Sequence, residues 1–110
     1  MLKNAIIALT LAIVPGTAFA SPTYQDYDDC LAEGVRHAVQ RGIANPRTDG
    51  PQIAATMAVN HGHLLCARIE TAIVFGNTDP EWVMKDQRYL EEMRFRMQNR
   101  AVEVFEDMLR

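Results

Sequence analysis

Between Gly50 and Gly76 apolar residues recur at helical spacing around most of the circumference, which predicts a central helix over residues 51–75. At about 100° per residue, Gln52, Thr56, Asn60, His63, Ala67, Glu70 and Thr71 share one narrow stripe, the expected solvent side. Ala54, Met57, Ala58, Leu64, Leu65, Ile69, Ala72 and Ile73 fill the rest, with Val59 and Cys66 at one edge. So wide an apolar face calls for more than one covering neighbour. Upstream, residues 24–42 read as a helix with Tyr27, Leu31, Val35, Ala38 and Val39 on one face and Asp28, Asp29, Glu33, Arg36 and Gln40 on the other. Gly42 is the expected stop. Asn45-Pro46 and Asp49-Gly50-Pro51 mark a turn-rich connection. A third helix is predicted over 79–109, begun by a Thr78/Glu81 capping box or by Asp79 with Pro80 in the first turn. Trp82, Val83, Leu90, Met93, Met97, Ala101, Val104 and Met108 form its core stripe. The expected fold is therefore all-α: one three-helix domain over 21–110, an α-hairpin plus a long C-terminal helix.

The third helix carries a second apolar line in its last half. Phe95, Val102 and Leu109 repeat every seven residues, with Phe105 between the two lines. At 1.5 Å per residue this helix is about 45 Å long and the first about 27 Å, so the hairpin does not reach along all of it. Either the first helix or residues 21–24 fold over the line, or it meets another chain. The second option makes Phe95, Val102, Phe105 and Leu109 the candidate partner-binding residues, for another protein or for self-association.

The first twenty residues stand apart from this pattern. Lys3, the apolar run Ala5–Val14, the break at Pro15-Gly16 and the small-x-small sequence Ala18-Phe19-Ala20 make a signal peptide, with Ser21 as the new N-terminus. The apolar run is too short to span a bilayer comfortably, and no second membrane segment follows. A periplasmic or secreted protein is expected. Without Lys3, ten basic residues face fourteen acidic ones. That balance argues against nucleic acid and against a cationic membrane-surface helix. In an oxidising compartment the two cysteines, Cys30 and Cys66, are expected to form one disulfide. Cys30 lies about 18 Å before the end of its helix and Cys66 about 22 Å after the start of its own, so an antiparallel hairpin sets them at similar heights.

Candidate chemistry is sparse. His61-Gly62-His63 has a metal-like look, but residues two apart on a helix point about 160° away from one another and do not share an ion. No metal or other cofactor is expected. No nucleophile elbow, phosphate loop or free thiol suggests catalysis. His61 and Arg68 interrupt the apolar face of the central helix and are the ligand candidates. The structural alternative is a core His61 bonded to a tyrosine or carbonyl, and Arg68 paired with Asp86 of the third helix. The pattern favours a non-catalytic protein-binding module, of the inhibitor, immunity or chaperone-like kind. The alternative is a small-ligand or metal carrier using His61 and Arg68.

Overall fold

Helix α1, Tyr24–Gln40, begins where Thr23 and Asp26 exchange side-chain and backbone hydrogen bonds. This reciprocal cap satisfies two otherwise orphaned N–H groups. Arg41 caps the C-terminus, and Gly42 follows with a φ of 72°, the left-handed conformation glycine adopts without a Cβ penalty. The computed structural model describes residues 21–76 and 79–110; the signal peptide expected over 1–20 and the cap expected from Thr78 lie outside the described residues. A single turn, α2 (Pro46–Asp49), follows, capped by Asn45. Then come α3 (Pro51–Leu65), α4 (Ala67–Phe75) and α5 (Pro80–Met108). Asp79 caps α5 by accepting from the Glu81 N–H at 3.0 Å, with Pro80 in the first turn. The described residues hold helices and no strands.

The expected central helix is thus two. The interruption falls at Cys66, whose φ and ψ of −99° and 13° leave helical values although its N–H still donates to the Gly62 carbonyl. Cys66 is also the residue tied covalently to α1, through the Cys30–Cys66 disulfide with its Cα atoms 6.0 Å apart.

Helices α1 and α3 run antiparallel along a seam of small residues set one turn apart. Cys30 faces Cys66, Gly34 faces Gly62, and Ala38 and Ala58 are both fully buried in one cluster. A Cβ on Gly34 would stand 2.4 Å from the Gly62 Cα, so the two backbones touch at that level. Helix α5 packs chiefly on α3 and less on α1 and α4. Two core clusters result. One holds Tyr27, Leu31, Val59, Cys66, Ile73, Val74, Leu90, Met93 and Met97. The other is built of alanines closed by Phe105.

Close approach decides which residues go inside. The buried face of α3 is Ala54, Ala55, Ala58, Val59 and Gly62, while Ile53 and Leu65 are exposed and Leu64 is 73% so. The wide apolar face expected over 51–75 is therefore covered along the small residues of α3 and at Val59, Ile73 and Val74, and left open at Ile53, Leu64 and Leu65. Helix α5 also overruns its partners: Trp82, Val104 and Met108, expected in the core, are exposed. Trp82 is shielded instead by Lys85, whose Nζ lies 4.8 Å from the ring centroid.

The seam predicts an ordering. Gly34→Ala places a methyl against backbone that has nowhere to go except apart, and should cost roughly 1–3 kcal/mol or more despite alanine's better helix propensity. Gly62→Ala meets the Leu31 carbonyl oxygen at 3.2 Å and should cost less. Thermal unfolding of both variants with the disulfide intact checks this, at roughly 4–8 °C per kcal/mol. An unchanged or raised midpoint for Gly34→Ala would refute the contact.

Candidate functional site

On the side away from α3, helices α1 and α5 leave an apolar groove between them. Its first part is a hollow of about 410 Å³ lined by Ala32, Val35 and Arg36 of α1 and Met97, Arg100, Ala101, Val104 and Phe105 of α5. A second hollow, of about 290 Å³, lies a turn further along both helices, lined by Val39, Met108, Leu109 and residues of the 42–47 turn. Ala32, Val35 and Val39 are half-buried, and Val104 is 55% exposed. Arg100 at the rim pairs with Asp28 at 2.8 Å, and Arg36 pairs with Glu33. Steps of three and four on both walls match the spacing with which a third helix inserts its side chains.

The four residues expected to bind a partner do not share one surface. Phe105, read between the two lines and as a partner contact, is 2% exposed and forms the groove floor, its ring packed on the alanine cluster. Val102 packs half-buried against that same cluster, and Leu109 is exposed at the second hollow. Phe95 is 63% exposed on the outer face of α5, turned about 180° from Val104.

The interior polar positions are also rearranged. Arg68 is exposed, and the expected Arg68–Asp86 pair does not form. Asp86 is 3% exposed and accepts a hydrogen bond from the Tyr24 hydroxyl. Among the described residues His61 is hydrogen-bonded neither to a tyrosine nor to a carbonyl; its Nε2 lies 2.8 Å from the Nδ1 of His37. No hydrogen bond or ring contact joins His61 to Arg68 among the described residues, and Arg68 is exposed, so the structure does not assemble the two expected ligand residues.

A network that the pattern of charges did not reveal centres on Glu70. Its Oε1 accepts from Arg94 at 3.1 Å, and its Oε2 accepts from the fully buried Tyr27 hydroxyl at 3.3 Å. Arg94 also donates to the Tyr27 oxygen at 3.0 Å. His63 Nδ1 stands 3.0 Å from Glu70 Oε2, at ion-pair distance but off hydrogen-bond geometry. Burial pushes the Tyr27 hydroxyl pKa up, and Arg94 pulls it only partly back. Burial opposes the Arg94 charge, but its bonds to Tyr27 and Glu70 prevail and raise its pKa. Although His63 Nδ1 is buried without a hydrogen-bond partner, Arg94, Tyr27 and Glu70 engage one another within the fold. That marks the network as a joint between α1, α4 and α5 rather than a reactive centre.

Among the described residues no group of three or more His, Cys, Asp or Glu side chains is placed to hold a metal ion. No described helix is long and apolar enough to cross a membrane. Comparison with protein-family models, with curated proteins and with solved structures finds no match for the chain.

The Tyr24–Asp86 hydrogen bond predicts a pH dependence. The hydrogen bond to Asp86, aided by burial, pushes Tyr24 from 10.0 up to about 12. A tyrosine whose pKa rises on folding favours the fold fully below pH 10.0, and that contribution is lost as pH climbs through about 12. Stability measured by denaturant titration should therefore fall across this window, and more shallowly in Tyr24→Phe. An identical slope in the variant would contradict the assignment.

Proposed function

We propose that this chain is an exported, non-catalytic protein-binding module that takes an amphipathic helix of a partner protein into the groove between α1 and α5. The observation that carries this reading is the pair of matched walls. Ala32, Val35 and Val39 on one side face Met97, Ala101, Val104 and Met108 on the other, all apolar and at helical steps. Two helices resting on α3 make three sides of a four-helix arrangement, and an entering helix would complete it by knobs-into-holes contacts. The exposed Met108 at one end suits a surface that adapts to its guest. The Arg100–Asp28 and Arg36–Glu33 pairs give the groove a polar rim. Export follows from the leader-like first twenty residues and accords with the disulfide.

The reading places the partner at Val104, not on the outer line through Phe95. A photoreactive amino acid at position 104 should cross-link a partner in the native exported fraction, whereas one at position 95 should not. Val104→Glu should abolish capture without lowering the melting temperature, because the side chain is already exposed. Cross-links from position 95 alone, or undiminished capture by Val104→Glu, would overturn the groove as the site.

A further inference from the structure

The Nδ1 of His37 and the Nε2 of His61 lie 2.8 Å apart, with ring planes 7° from parallel and centroids 5.0 Å apart. So short a nitrogen-to-nitrogen distance at that centroid separation sets the rings edge to edge rather than face to face. One neutral imidazole donates its N–H and the other accepts with its lone pair. Neither ring belongs to the groove described above.

We infer that His37 and His61 form a two-nitrogen chelating site for a late first-row divalent cation. Imidazole nitrogen suits copper, nickel and zinc, and it binds at about 2.0–2.1 Å. Two such ligands at a right angle stand about 3 Å apart, whereas a tetrahedral angle sets them about 3.4 Å apart. The observed 2.8 Å is close to the first value. Among ions that take imidazole nitrogen, copper(II) heads the general affinity order, with nickel(II) and zinc below it. Chelation needs both lone pairs turned inward. In the ion-free pair one proton lies between the two nitrogens; on binding, that ring takes its other tautomer, so that Nε2 of His37 and Nδ1 of His61 carry the protons, and both rings rotate to exchange the hydrogen bond for two metal bonds.

The scaffold is what makes two ligands worth having. His37 lies three residues after Gly34 and His61 lies next to Gly62, so the pair straddles the backbone contact of α1 with α3. The disulfide closes the same seam at Cys30 and Cys66. The helices are held at chelating distance before any ion arrives, and the second nitrogen binds intramolecularly. His37 is exposed, which gives the ion a path in. The remaining coordination positions are left to water or to an outside ligand, as in sites that exchange their metal.

His63 supplies an internal control, because it is engaged by Glu70 and points to another side of the helix. Titrating tag-free protein with nickel(II) should show one ion per chain and a saturable rise in melting temperature. His37→Gln and His61→Gln should each weaken binding by roughly tenfold or more, while His63→Gln leaves the affinity unchanged. In the unmutated protein, sub-stoichiometric nickel(II) should broaden the ring resonances of His37 and His61 together, ahead of those of His63. Binding that survives His37→Gln, broadening of His63 first, or no rise in melting temperature would each overturn the site.

Discussion

The backbone contact between Gly34 and Gly62 sets the spacing on which the rest of the molecule depends. With no side chain at either position, α1 and α3 approach until main-chain atoms meet. The cysteines one turn away then fall within reach of each other, and the alanines on the other side are buried without a gap. Close approach has a second effect. It leaves no room along the seam for Ile53, Leu64 or Leu65, which turn outward although they are as apolar as anything in the core. The cross-link adds roughly 3–4 kcal/mol by restricting the unfolded chain. In a domain whose total stability is of the order of 5–15 kcal/mol, seam and disulfide together are a large fraction of it.

Much of this architecture can be read along the chain. Helical periodicity, the glycine after α1, the proline-rich turn and the Asp79-Pro80 start place the main elements to within a residue or two. The heights of the cysteines in an antiparallel hairpin place the disulfide. What periodicity alone does not convey is size. The run Cys30, Gly34, Ala38 and the run Ala58, Gly62, Cys66 each repeat a small residue every four positions, and that repeat is the signal for a close seam. Reading every apolar residue as equally inward sends Leu64 and Leu65 to the wrong side.

The polar positions follow a similar logic. Arg68 and Asp86 look like partners because each interrupts an apolar stripe, yet Asp86 is met by Tyr24 from the start of α1, and Arg68 reaches solvent once the helix turns at Cys66. Glu70 looks like a surface residue on a straight helix. It becomes half-buried because α5 brings Arg94 to it and α1 brings Tyr27. Both rearrangements depend on which helix lies against which, a matter of three-dimensional arrangement that one helix's pattern does not contain. The same holds for the groove. Val35 and Val104 are unremarkable on their own helices and acquire a shared role only where α1 and α5 converge.

The position of the disulfide in the chain also bears on how the molecule is made. Both cysteines lie in the segment completed before α5, separated by only 36 residues, and with two thiols there is a single way to join them within the chain. Synthesis from the N-terminus thus finishes a lockable hairpin while the last helix is still to come. Once an oxidant has closed it, the long helix arrives at a prebuilt platform. No shuffling of wrong pairings stands between the nascent chain and its final form.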